Sequence, residues 1–465
     1  MTRSFELRRA ALAALAVFSC VVLAAPASAA NIVLVNLDPP GAGLNDPTPA
    51  APVGGNPGTT LGEQRTNVYL FAAQILGSVI DSNVPVFVGA TFTPLTCSAT
   101  SGVLGAAGAT WIFADFPGAG VPNTFYHSAL ADAQAGVDLI DDIDIISFFN
   151  SQIDSNPACL GGRKWYYGFD HNEGISFDFL NVVVHEITHG LGHSNFTNEA
   201  NGLFAGGLPS IYDRFTLDLT TGLTWDNMTA AQRVASAIND RNVVWSGAAA
   251  TAAAPSVLGP RPSVKVLSPK SIKGSMEAQT ASFGAALTGG GGTTGQLVVA
   301  DDGVGAPADA CEPLVNDALD KIVLADRGVC TFTAKAINAQ NAGAKGLIVA
   351  NSLPVGLAPM GGADPNVVIP AVGITQADGV ALRTAHKPSV KLILDGDFLA
   401  GAAPTGQVRL YAPPVLASGS TISHWDVSAS PNLIMEPFIN SDLEAANDLD
   451  LTPFQFLDIG WVLLP

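Results

Sequence analysis

The chain has 465 residues, with 21 Lys and Arg against 40 Asp and Glu, and a net charge of −19. That length sets two to three domains with ample chain to bury a core. The acidic balance, with no basic block beyond the N-terminus, argues against nucleic-acid binding and against an anionic membrane surface, and reads as solubility.

Residues 1–30 read as a secretory signal. Arg3, Arg8 and Arg9 make the charged start, ALAALAVFSCVVLAA the apolar stretch, and Ala27-Ser28-Ala29 the small-residue pattern that places cleavage near Ala29-Ala30. The Arg8-Arg9 pair raises a twin-arginine route, but its flanks match one poorly. No later stretch is long and apolar enough to span a membrane. The expectation is a secreted protein, with the periplasm as the other destination. Four cysteines follow the signal, and an even number in an exported chain predicts two disulfides. Three pairings are open, and proximity favours Cys97–Cys159 and Cys311–Cys330.

NIVLVNLD (31–38) predicts a strand, and 38–60 a Pro/Gly/Asn-rich loop. Apolar spacing over 61–80 predicts a helix capped by Thr60, with Glu63 three residues on. VPVFVGATFTPL (84–95) predicts a second strand, and strand–helix–strand order implies a mixed sheet with a crossover helix. ATWIFADF (109–116), DIDIISFF (142–149) and IYDRFTLDL (211–219) read as further strands. A short helix is expected over 229–240 with Thr229 as cap. The Ala/Pro/Gly-rich stretch 243–260 reads as a boundary. From 262 to 400 short apolar strands surround a helix at 333–344, which describes a module of its own. GGGGTTG (289–295) reads as a flexible loop, without the strand-to-helix context of a phosphate site. A last helix or turn-rich segment is expected from Asp450 onward.

The stretch 176–193 carries the chemistry. It holds His185-Glu186-Ile187-Thr188-His189. On a helix, positions i and i+4 share one face, so two imidazoles grip one metal ion with Glu186 beside them as a base. A catalytic zinc takes three protein ligands and keeps one position for water. The third ligand must be found among His127, His171, His193, His386 and His424. On a continuous helix His193 stands about 12 Å along the axis from His185, too far for one ion. A break at Gly190 or Gly192 keeps His193 open as an alternative.

His424 lies in Ser423-His424-Trp425, followed by Leu433-Ile434-Met435-Glu436-Pro437, Leu451-Thr452 and Asp458-Ile459-Gly460. HEITHGLGH resembles the zinc helix of the metzincin metalloproteases. The usual third histidine of that motif falls at Asn195, although Gly192 matches its glycine. The later segments resemble the leishmanolysin-like branch, in which an insertion separates that glycine from the third histidine. The resemblance implies His185, His189 and His424 as ligands of one catalytic Zn2+, Glu186 as general base, and Met435 as the structural methionine of a Met-turn. The two histidines at 189 and 424 lie 235 residues apart. The intervening module resembles a protease-associated (PA) domain through Cys311, Asp320–Leu324, Arg327–Phe332, Asn338–Ala344, Leu347–Asn351 and Ile369-Pro370. Such domains imply docking, access control or protein interaction, or no more than a spacer.

The expected fold is α+β: a metzincin-like catalytic domain with a mixed twisted sheet, a zinc-binding helix and a Met-turn, split by an inserted α/β PA domain. The expected boundaries are a signal at 1–30, an N-terminal catalytic segment at 31–261, the PA domain at 262–400 and a C-terminal catalytic segment at 401–465. The expected activity is that of an exported zinc-dependent endopeptidase acting on protein or peptide substrates. The competing readings are an exported binding or adhesive protein with a structural or degenerate metal site, and a zinc hydrolase of non-peptide bonds. Asp178 or Asp426 are expected to support the ligands. Calcium at the aspartates of 441–450 has no EF-hand pattern behind it, and a solvated acidic loop is the plainer expectation.

Overall fold

The structure is a computed structural model that describes residues 28–465. The body of the proposed signal, residues 1–27, lies outside the described residues. Among the described residues no helix is long and apolar enough to cross a membrane.

Ile32–Asn36, Val86–Thr93 and Ile145–Asn150 form a parallel core sheet, with Ile32 opposite Val86 and Val88 opposite Ile145. Parallel neighbours need a crossover, and the helix Leu61–Gly77 supplies it between the first two strands. Its start is a reciprocal capping box between Thr60 and Glu63. An antiparallel edge strand, Gly105–Ala109, completes the sheet. The strand expected over 109–116 reduces to Ile112–Phe113. The edge strand GAAGA gives no signal of its own, because Gly and Ala carry no apolar alternation.

The helix carrying His185 runs from Phe179 to Leu191. Asp178 caps it by accepting from Leu180 N at 2.8 Å and Asn181 N at 3.4 Å. Such a cap contributes about 1 kcal/mol. Phe179 is fully buried and meets Phe92, Phe149, Trp165 and Tyr167 at 5.4, 5.0, 5.1 and 5.3 Å between ring centroids. Each such pair adds about 0.5–1.5 kcal/mol beyond area burial. The helix is therefore pinned at its N-terminal end. At the other end Gly192 has φ +134°, a conformation an L side chain rarely adopts, and the chain turns away.

The stretch 243–260 leads up to the inserted sheet, whose first strand starts at Pro260, and it is ordered rather than a linker. It forms a strand, Val243–Trp245, and a helix, Ala248–Val257, that joins the first core together with the last helix, Thr452–Ile459. Alanine is the best helix former, and that propensity outweighs the Pro and Gly at the end of the stretch. The returning chain pairs with this strand: Trp245 N donates to Val408 O at 2.8 Å and Leu410 N to Val243 O at 2.9 Å. The expected strand over 211–219 shortens to Thr216–Asp218.

Between these halves stands an eight-stranded sheet. Its strands Thr293–Val299, Ile322–Asp326, Gly346–Ala350 and Ala371–Ile374 run parallel. Pro260–Ser268 and Ser389–Leu399 are antiparallel neighbours that bring the chain in and take it out. Helices Phe332–Asn341 and Gln376–Thr384 accompany the parallel run, and the sheet has two cores of its own. The loop expected over 289–295 ends earlier, because the glycine run at 289–292 gives way to the strand Thr293–Val299. Both expected disulfides are present, Cys97–Cys159 and Cys311–Cys330.

One carboxylate fastens the inserted module to the rest. Glu277 pairs bidentately with Arg409, at 2.7 and 2.9 Å. It also meets Arg241, and Arg261 at 3.6 Å. Removing the single acid leaves buried guanidinium groups without their counter-charge, which costs about 3–5 kcal/mol. Glu277→Ala is expected to lower the thermal unfolding midpoint, and Glu277→Gln to do so by less, measured by calorimetry.

Candidate metal centre

His185 and His189 lie one turn apart on the helix, and His424 comes from the returning C-terminal segment. The three Nε2 atoms form a triangle: 3.0 Å between His185 and His189, 3.2 Å between His189 and His424, and 3.3 Å between His424 and His185. The three donors form one potential metal-holding group.

Each ring is held from its other nitrogen. His185 Nδ1 donates to Ile434 O at 2.7 Å, His189 Nδ1 to His193 O at 2.8 Å and His424 Nδ1 to Ser420 O at 2.8 Å. A carbonyl oxygen only accepts, so each Nδ1 carries the proton and each neutral ring turns a lone pair inward at Nε2. Three lone pairs converge with no proton between them, an arrangement that suits a cation. Ligand arms of about 2.05 Å at the tetrahedral angle put nitrogens about 3.3 Å apart. The donor set therefore fits zinc. Burial favours the neutral rings: it lowers His185 to about 4 and His189 to about 3, and holds His424 well below its ordinary value.

Glu186 is buried and lines a cavity of about 80 Å³ with His185, Asn181, Gly105 and Ile434. Burial pushes its carboxyl up to about 8. A cation at the triad would favour the carboxylate again. Gly105 of the edge strand makes room for it, since a Cβ there would sit 2.6 Å from Glu186 Oε1.

Met435 is fully buried, and its carbonyl accepts from Trp425 N at 2.8 Å. Ile434 N is tied to Asp450 at 2.5 Å, and Asn432 to Asp442 through main chain and side chain. The aspartates of 441–450 thus include braces of the Met435 turn. This role is not legible in the sequence, because nothing in the spacing links Asp450 to Ile434.

Two expectations need correction. Asp178 and Asp426 do not orient the three imidazoles. Asp178 caps the helix, and Asp426 accepts from Ser428 N at 3.0 Å. Main-chain carbonyls do the orienting instead. The His193 ring stays out of the triangle and packs against Tyr212 and Trp425. Its carbonyl, not its ring, serves His189. Of the remaining histidines, His127 Nε2 meets Ser194 Oγ at 2.8 Å, and His171 pairs with Asp178.

The PA family matches residues 293–382. Those residues are a PA domain. Its expected extent, 262–400, is wider than the match. The Arabidopsis thaliana signal peptide peptidase-like 2 is 39% identical over 89 residues, 18% of this chain and 16% of that protein. Vacuolar-sorting receptor 2 of the same organism is 32% identical over 148 residues, 28% of this chain and 24% of its own. Leucine aminopeptidase 2 of Trichophyton rubrum is 48% identical over 65 residues, 14% and 13% respectively. The chain therefore spans less than a quarter of each of these relatives. A zinc aminopeptidase structure from Bacillus subtilis is 23% identical over 42% of this chain and 43% of its own, with a TM-score of 0.23.

Two measurements follow. His185→Ala, His189→Ala and His424→Ala are each expected to bind one zinc ion fewer than the native chain by equilibrium dialysis, whereas His193→Ala loses none because the main-chain carbonyl remains. In metal-free protein, unfolded histidines take up protons near 6.5, while folded His127, His185 and His189 do so only near 3, 4 and 3. The unfolded state then binds more protons, so stability falls as pH drops from about 6.5 to about 3. Urea midpoints across that window measure it.

Proposed function

We propose that the chain is an exported zinc-dependent endopeptidase, with His185, His189 and His424 as ligands and Glu186 as general base. The observation that carries this reading is the inward convergence of three unprotonated nitrogens beside a buried carboxyl that lines a cavity. A structural zinc site is closed by four protein ligands, whereas three leave a position for substrate or water. The edge strand Gly105–Ala109 favours cleavage within a chain: its outer edge is unpaired in the sheet, and Leu104 and Gly105 line the cavity. Such an edge accepts an extended peptide as an added strand. Peptidases among the partial relatives, the leucine aminopeptidase included, agree with a peptidase. Two disulfides agree with export to an oxidising compartment.

When bound, zinc supplies Lewis-acid polarisation of the scissile carbonyl and acidifies water. The Glu186 carboxylate takes a proton from the attacking water and hands it to the departing amine nitrogen. The carbonyls of Ile434, His193 and Ser420 keep the three rings in the tautomer that leaves Nε2 free. Met435 serves as an apolar floor rather than a ligand. The PA domain docks substrate or limits access.

Glu186→Gln is expected to keep zinc and lose casein cleavage by about 10²–10⁴-fold, the usual worth of a general base. Chelator abolishes cleavage by the native chain, and added zinc restores it. Full activity in Glu186→Gln would sink the assignment, and absence of chelator-sensitive proteolysis favours a binding protein. Gly105→Ala displaces the Glu186 carboxylate and is expected to lower kcat with zinc content unchanged.

A further inference from the structure

A second group of donors lies at the N-terminal end of the same helix. His171, Glu173 and Asp178 each bring one donor atom within 4.8 Å of the other two. His171 Nδ1 and Asp178 Oδ2 are 3.1 Å apart, a spacing that neighbouring ligands adopt on one ion. Glu173 Oε2 is buried and has no hydrogen-bond partner. Buried polar atoms are ordinarily paired, so this oxygen calls for a ligand outside the polypeptide.

The charges point the same way. Glu173 and Asp178 bring two carboxyl groups together, and the Asp178 carboxyl is raised by burial first and by the Glu173 charge as well. The guanidinium that lines the same cavity, Arg163, is directed elsewhere. It donates to the carbonyls of Ile175 and Ser176 and lies 3.8 Å over the Phe177 ring. Among the described residues no ion pair joins it to either acid. Beside them is a cavity of about 50 Å³, lined also by Ser176 and Ser441, with room for an ion and its waters.

We propose that His171, Glu173 and Asp178 form a second site, for a divalent cation of the Zn2+ or Mn2+ class. One imidazole suits zinc and two carboxylates suit manganese, and the set is not the all-oxygen cage of calcium. Asp178 bridges two tasks through different atoms. Oδ1 caps the helix and Oδ2 faces His171. The ion fastens the loop 170–178 to the helix start, about 10 Å along the axis from His185. The site is independent of peptide cleavage and of zinc at the triad.

The test uses the full exported chain, stripped of metal and dialysed against Zn2+ and, separately, Mn2+, with bound metal counted by mass spectrometry. The expected result is two ions per native chain with at least one of the two metals. One ion is expected in Glu173→Gln and in His171→Ala, where the occupied triad also reports an intact fold. The second ion is expected to raise the unfolding midpoint of the native chain and not of Glu173→Gln. No more than one ion per native chain with either metal overturns the inference, as do two ions in either variant. A variant that binds none also overturns it, since these residues would then support the triad.

Discussion

Three hydrogen bonds from imidazole Nδ1 to main-chain carbonyls govern the centre of this protein. They decide which ring nitrogen carries the proton, and hence that three lone pairs face one point. That arrangement is electrostatically unfavourable by itself. It persists because the surrounding backbone over-determines it. Each carbonyl comes from a separate place: the turn after the helix, the approach to His424, and the turn before Met435. The triad is thus a property of three loops held in register, not of one helix.

The register has visible supports. Asn181 spans from the helix to the C-terminal segment, donating to Leu443 O and accepting from Ala445 N, both at 2.9 Å. Trp461 Nε1 donates to Leu191 O at 2.8 Å and satisfies a carbonyl at the helix end. Tyr411 N donates to His424 O at 2.8 Å, two residues after Arg409, which Glu277 of the inserted module holds. A chain of hydrogen bonds therefore runs from Glu277 to the segment bearing the third imidazole. Preorganisation of this kind fixes the three imidazoles relative to one another.

The sequence shows the parts that obey a period or a motif. The helix over His185 and His189, the Thr60 capping box and both cysteine pairs are readable, because each depends on residues at fixed offsets or on proximity. His424 is readable only through resemblance, since no local rule connects it to a helix 235 residues earlier. Gly105–Ala109 is hidden because its side chains are small, and smallness is what lets Glu186 stand beside it. The carbonyl partners are hidden because every residue owns a carbonyl, so type and spacing say nothing. Asp178 illustrates the same limit: its rank as a cap is legible, while its meeting with His171 depends on how a loop closes.

The eight-stranded inserted module, which contains the PA domain, begins and ends on adjacent strands, Pro260 lying opposite Leu399. Once that module has folded, its two ends are neighbours, and the long detour between His189 and His424 no longer counts at full length. The entropy of bringing two points together grows with the logarithm of the loop between them, so folding the insertion first shortens the loop that assembling the triad must close. An insertion that looks like an interruption on paper acts, in chain statistics, as a clasp.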